Sequence, residues 1–207
     1  MSASPLDALR RQNDAIRRFR LDNGLTVLLC PEADAPLVAV QYWVGVGSID
    51  ESPLVGAGLS HYLEHMLFQG TESRAPGRIG EEIADAGGDI NAYPSLDRTV
   101  FHATVPAKNW PVALDVLTDA VFHPTFPEAE WQREREVIFR EVDMGLDNPD
   151  RVLNAFAWET LLRTSPYRAP VIGWKDILST MTREDLFSHH RRFYSPDNMI
   201  LSLAGGF

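Results

Sequence analysis

Five consecutive residues carry the strongest chemical signal in the sequence: His61, Tyr62, Leu63, Glu64 and His65. At about 100° per residue, the two histidines and the glutamate fall on one face of a helix. Two imidazoles one turn apart can bind one zinc ion, and the carboxylate between them can act as a general base toward a water on the metal. Their order is the reverse of the commoner His-Glu-x-x-His motif. An ordinary surface helix with two histidines is the alternative.

A catalytic zinc also needs a third protein ligand and an open coordination position. The helix predicted after Thr125 offers two candidates, because Glu134 and Glu141 fall on its apolar side with Trp131, Ile138 and Val142. A carboxylate on a core-facing stripe is costly unless it is paired or bound to a metal. Both glutamates are therefore candidate partners of the two histidines. The alternative for each is a carboxylate at the rim with its head in solvent.

The elements that must position these residues alternate between strands and helices. The order predicts an α+β fold, an α/β sandwich in which a mixed, largely antiparallel sheet is covered by helices. Thr125 followed three residues later by Glu128 predicts a capping box at the start of one helix. We expect strands on both sides of a turn at 22–24, a Val-rich strand over 37–46, a hairpin over 89–94 and 99–105, and a last strand over 199–204. We expect helices over 59–69, 77–86, 108–122, 126–144, 151–162 and 183–194.

The composition is that of a soluble globular protein of about one domain. Of 207 residues, 44% are hydrophobic and 23% are charged, which excludes a disordered or collagen-like chain. The net charge of −10 argues against a nucleic-acid partner, since phosphate binding needs clustered Lys and Arg. The single cysteine, Cys30, cannot form an internal disulfide. No stretch is apolar enough to span a membrane, and the N-terminus leans basic but lacks the apolar core of a signal peptide. We expect a cytoplasmic protein, with a transit peptide and a periplasmic or organellar location as the alternatives, and we expect residues 1–15 to be flexible.

Four stretches in a fixed order resemble a known family. They are the segment 58–68 around the two histidines, the hairpin segment 89–93, the segment 134–141, and Tyr194-Ser195-Pro196-Asp197-Asn198-Met199. Together they are similar to the pitrilysin or insulinase-type zinc metallopeptidases, which include the mitochondrial processing peptidases. The resemblance extends over nearly the whole chain from Phe19 onward.

This resemblance implies roles for five side chains. His61, His65 and Glu141 would hold one zinc ion per chain, Glu64 would be the general base, and Glu134 would be a supporting acid behind the ligands. These are the same residues that the helix geometry singles out.

The resemblance also implies a substrate-binding strand. Asn91, Ala92 and Tyr93 would lie on an edge strand to which the substrate adds as a further strand, a mode that recognises extended peptides through their main chain. The family's usual next residue is Thr, whereas this chain has Pro94, which has no backbone N–H to offer. A plain hairpin without a binding role is the alternative.

The expected function is zinc-dependent hydrolysis of peptide bonds in extended peptides or unfolded segments. The resemblance implies that residues 1–207 are a single N-terminal catalytic domain that continues beyond Phe207, completed by a homologous C-terminal half or a partner subunit, as a homo- or heterodimer. A non-catalytic scaffold subunit of the same fold is one alternative. A two-histidine, one-carboxylate iron enzyme is another, although Glu64 would have no role there. A lyase with the inverted motif would need a cysteine ligand, and Cys30 lies upstream on a strand.

Overall fold

The computed structural model describes residues 16–207, so the expectation for residues 1–15 falls outside the described residues. Within these residues, six strands form one sheet in the order β1-β2-β6-β3-β5-β4. Among them β2 and β6 run parallel, and the other neighbours are antiparallel. The strand β4 therefore lies at one edge of the sheet, next to β5. The strands are β1 Arg17–Arg20, β2 Thr26–Pro31, β3 Leu37–Val44, β4 Asp89–Pro94, β5 Thr99–Pro106 and β6 Met199–Gly205.

Helices cover one face of this sheet. In β3 the alternate residues Val38, Val40, Tyr42 and Val44 are buried, while the residues between them are half-buried. The predicted α+β class is confirmed. The described part of the chain contains seven α-helices: α1 Leu59–Leu67, α2 Arg78–Asp85, α3 Trp110–Phe122, α4 Glu128–Leu146, α5 Pro149–Leu161, α6 Lys175–Thr180 and α7 Arg183–Phe193. Six of them were predicted from the sequence; α6 was not.

The predicted capping box at the start of α4 is wrong. The helix begins at Glu128, directly after Pro127, and the N-cap makes no side-chain hydrogen bond. The hydroxyl of Thr125 instead donates to the carbonyl of Gly70 at 3.3 Å. Proline fixes its own φ and disfavours the helical conformation in the residue before it, so the helix starts after Pro127 rather than at Thr125.

The helix α5 also begins earlier than predicted, at Pro149. Oδ1 of Asn148 accepts hydrogen bonds from the backbone N–H groups of Asp150 and Arg151 at 3.0 and 3.2 Å. An asparagine cap followed by proline in the first helical position is a favourable helix start. Within residues 16–207, no helix has the length and apolar character needed to cross a membrane.

Candidate metal centre

The helix α1 divides its residues between the core and an open face. Leu59, Tyr62, Leu63, Met66 and Leu67 are buried and anchor the helix. Its neighbours are α4, α7 and the edge strand β4. The remaining face presents His61, Glu64 and His65, whose side chains are each about 15–17% exposed. The spacing i, i+3, i+4 therefore brings the three groups together as predicted.

An aromatic contact fixes α4 against α1. The rings of Tyr62 and Trp131 stack with centroids 4.2 Å apart, and the Tyr62 hydroxyl donates to the Trp131 carbonyl. Ile138 is buried on the same side of α4. Because Glu134 and Glu141 are two helical turns apart on this side, both carboxylates face α1.

Three side chains converge on one point. Oε2 of Glu141 lies 3.6 Å from Nε2 of His61 and 3.6 Å from Nε2 of His65. One ligand atom from each of the three residues lies within 4.8 Å of the other two. Ligands that are about 2.0–2.1 Å from a tetrahedral zinc ion are about 3.4 Å from one another. The spacing of these donors therefore suits a single zinc ion, with a fourth position left for water or substrate.

Glu134 lies behind the donors rather than among them. Its Oε2 is 3.0 Å from Nδ1 of His65, and its Oε1 accepts a hydrogen bond from Nε2 of Gln69 at 3.0 Å. The guanidinium of Arg133 donates to Oε1 of the Gln69 side chain at 3.0 Å and completes this network. A carboxylate at Nδ1 favours the tautomer with the proton there, which leaves the lone pair of Nε2 directed toward the metal position.

The second imidazole is held differently. Nδ1 of His61 is buried and has no hydrogen-bond partner among residues 16–207. Burial, together with the smaller effect of a positive charge on the neighbouring His65, lowers the pKa of His61 to about 3. His61 is therefore neutral at physiological pH, which is the form that binds metal.

The carboxylate of Glu64 lies beside His65. Its Oε2 is 3.8 Å from Nε2 of His65. Burial raises the pKa of Glu64 to about 7, a charge on His65 opposes the rise, and the nearby carboxylates of Glu141 and Glu134 add to it. The acidic side chains of Glu64, Glu134 and Glu141 surround the two imidazoles, and the guanidinium of Arg133 lies 3.4 Å from Glu134. A site of this charge favours a divalent cation.

The predicted substrate residues lie on the edge strand β4, as expected. Asn91, Ala92 and Tyr93 pair with His102, Phe101 and Val100 of β5. At the turn, the N–H of Ser95 donates to the carbonyl of Arg98 at 2.7 Å. Hydrogen-bonded and non-hydrogen-bonded pairs alternate along an antiparallel ladder, so the pairs formed by Asn91 and Tyr93 are hydrogen-bonded.

The free edge of β4 is therefore formed by the backbone groups of Ile90, Ala92 and Pro94. The N–H of Ala92 donates to Oδ1 of the adjacent Asn91 at 2.8 Å. This bond is consistent with an N–H group that points away from β5. Pro94 contributes a carbonyl but no N–H at this edge. The proline therefore removes no bond from the ladder with β5, but it leaves one donor fewer for an added strand.

Sequence reasoning missed two residues of the site. Gln69, which bonds to Glu134, follows His65 by four residues, so its helical spacing could have revealed it. Glu51, which bonds to the first turn of α1, lies seven residues before the helix N-cap at Gly58. No local capping motif has that spacing, so the sequence contained no signal for it.

The fold and the donor set are those of a zinc metallopeptidase domain. The family model described as Insulinase (Peptidase family M16) matches residues 26–174, and the chain belongs to this family. The resemblance to insulinase-type proteins is thereby confirmed. Similar proteins are named zinc proteases, and in this chain three donors whose spacing suits one zinc ion lie together.

Three comparisons illustrate the relationship. An uncharacterised zinc protease of Mycobacterium tuberculosis is 36% identical over 92% of this chain and 43% of its own length. A protein named probable mitochondrial-processing peptidase subunit beta, from Arabidopsis thaliana, is 34% identical over 98% of this chain and 39% of its own length. The crystal structure of a protease from Helicobacter pylori superposes with a TM-score of 0.88 at 26% identity, over 93% of this chain and 46% of that one. The chain thus spans less than half the length of the relatives it matches.

Proposed function

We propose that this chain is the metal-holding half of a zinc-dependent endopeptidase that hydrolyses peptide bonds in extended peptides or unfolded segments. The observation that carries the proposal is the convergence of His61, His65 and Glu141, whose ligand atoms lie within 4.8 Å of one another beside a free strand edge. A scaffold subunit would have no use for these three donors together with the further carboxylate of Glu64 beside them.

In this proposal the three donors hold the metal and Glu64 handles protons. Zinc, when bound there, supplies a Lewis acid that activates water and polarises the scissile carbonyl. The carboxylate of Glu64 borders the metal position without sharing the close spacing of the three donors, so it can take a proton from the attacking water. It then delivers that proton to the departing amide nitrogen. Glu134 keeps the imidazole of His65 in the required tautomer through the hydrogen bond at 3.0 Å.

The free edge of β4 would hold the substrate. An extended peptide added there pairs with the backbone groups of Ile90, Ala92 and Pro94, and the helix α1 that carries the metal packs against the same strand. Main-chain pairing of this kind accepts many side chains but only an extended backbone. The peptide must also displace Oδ1 of Asn91 from the N–H of Ala92.

Efficient hydrolysis would require a second half. The relatives named zinc proteases are more than twice as long as the matched region. One strand edge leaves most of a bound peptide in solvent, and misplacement by about 1 Å can cost on the order of 100-fold in rate. We therefore propose that a homologous C-terminal half, covalent or in a partner subunit, closes over the peptide.

A fluorogenic-peptide assay tests this function. The zinc-loaded chain is assayed alone and with a homologous C-terminal half, and sedimentation monitors self-association. We expect very low activity from the chain alone and a marked rise with the added half. Full activity from a strict monomer would contradict the two-half proposal, and zinc binding without activity in either form would favour a scaffold subunit.

A further inference from the structure

The first turn of α1 is held by a carboxylate that comes from outside the helix. Oε2 of Glu51 accepts the N–H of Gly58 at 3.0 Å, and its Oε1 accepts the N–H of Ser60 at 2.9 Å. Glu51 is only 1% exposed. Burial raises its pKa to about 7, and the N–H groups at the start of α1 oppose that rise. Burying a carboxylate costs free energy unless hydrogen bonds compensate for the lost water. Both oxygens of Glu51 are used at the start of one helix, which indicates a specific role for this side chain.

The helix cannot supply this cap itself. Gly58, its N-cap residue, has φ +71° and no side chain. A Cβ there would lie 2.4 Å from the carbonyl oxygen of Ile172, so a capping serine or aspartate has no room at this position. The carboxylate of Glu51 therefore takes the place of a local cap, and its negative charge lies at the positive end of the helix dipole.

The turn that Glu51 holds carries the first metal donor. His61 directly follows Ser60, whose N–H is bonded to Glu51. The ring of His65 is oriented by Glu134, but Nδ1 of His61 has no partner among the described residues. The direction of the His61 ring consequently depends on the position of its own backbone.

We propose that Glu51 is a positioning residue of the metal centre. By bonding to Gly58 and Ser60 it fixes the backbone at the start of α1, and it thereby aims His61 at the metal as Glu134 aims His65. This inference rests on the proposed metal-binding role of His61, His65 and Glu141. It assigns no contact between Glu51 and metal or substrate.

The test measures zinc affinity in Glu51→Gln by competition with a fluorescent chelator at pH 8, where the carboxylate is ionised. The glutamine amide can accept one of the two N–H groups but turns an N–H₂ toward the other. We expect zinc affinity to fall by about 10- to 100-fold, the range found when an orienting partner of a ligand is lost. We also expect the absorption bands of the cobalt-substituted protein to change, because these report the ligand geometry.

Two further variants make the result specific. Asp50→Asn is the matched control, because Asp50 is the neighbouring carboxylate and accepts the N–H of Gly47, outside α1, at 3.0 Å. It should bind zinc like the wild type. Glu51→Asp keeps the charge but is one methylene shorter, so its zinc affinity should lie between those of the wild type and Glu51→Gln. This variant replaces Glu51→Gln in the test if the glutamine variant does not fold.

The outcomes separate this inference from the proposed function. Wild-type affinity and an unchanged cobalt spectrum in a folded Glu51→Gln protein would overturn the positioning role, even if that protein unfolds at a lower temperature. A wild-type chain that binds no zinc would instead refute the metal centre itself.

Discussion

The hydrogen bond between Glu134 and His65 gives a quantitative prediction for metal binding. In Glu134→Ala, Nδ1 of His65 and Nε2 of Gln69 each lose a hydrogen-bond acceptor that lies at 3.0 Å in the wild type. The side chain of Glu134 is only 9% exposed. The imidazole is then free to turn or to change tautomer. Losing such a partner typically lowers metal affinity by about 10- to 100-fold, which corresponds to about 1.4–2.7 kcal/mol.

A chelator competition with the purified chain measures this change. The matched control is Glu136→Ala, since Glu136 is an exposed glutamate of the same helix and lies on its outer face. It should bind zinc like the wild type. Glu134→Gln should lose less affinity than Glu134→Ala, because the amide oxygen can still accept from Nδ1. Unchanged affinity in Glu134→Ala would refute the orienting role, whereas complete loss of zinc would show that Glu134 is itself a ligand.

Three other substitutions probe the base, the strand edge and a buried histidine. Glu64→Gln should retain zinc and slow peptide cleavage by about 10²- to 10⁴-fold in any active assembly, and loss of zinc on this change would make Glu64 a ligand. Pro94→Thr adds an N–H at the free edge of β4 and should raise kcat/KM about 2- to 13-fold, because one hydrogen bond contributes about 0.5–1.5 kcal/mol. An unchanged kcat/KM would argue that the substrate does not pair with this edge. Burial lowers the pKa of His189 to about 4, so the stability that its neutral form contributes is complete above about pH 6.5 and is lost as the pH falls toward 4. Between pH 7 and pH 5, His189→Leu should therefore lose less unfolding free energy than the wild type, by on the order of 1–2 kcal/mol in urea titrations, and equal losses would contradict the assignment.

The parts of the site that follow from local periodicity could be predicted from the sequence. The spacing of His61, Glu64 and His65 fixes their common face once α1 forms, and the two-turn spacing of Glu134 and Glu141 does the same on α4. The hairpin of β4 and β5 was also recognisable, because turn residues separate two strand-like runs. The edge position of β4 came from the family resemblance and is borne out by the strand order.

The parts that depend on contacts between distant residues could not be predicted. Glu51 is separated from α1 by a loop, and its carboxylate bonds to the first turn of the helix. No propensity or periodicity of the loop residues indicates where that carboxylate points. The short helix α6 has six residues, too few for an apolar period to stand out. At the start of α4, Pro127 overrode the pattern formed by Thr125 and Glu128, because a backbone restriction is stronger than a side-chain capping preference.

Crystals of the zinc-loaded chain, measured on both sides of the zinc absorption edge, test the central claim most directly. The account predicts one anomalous peak per chain, about 2.0–2.2 Å from Nε2 of His61, Nε2 of His65 and a carboxylate oxygen of Glu141, with Glu64 outside the coordination sphere. A peak bound by Glu134 or Glu64 in place of Glu141, or the absence of any peak between α1 and α4, would contradict it.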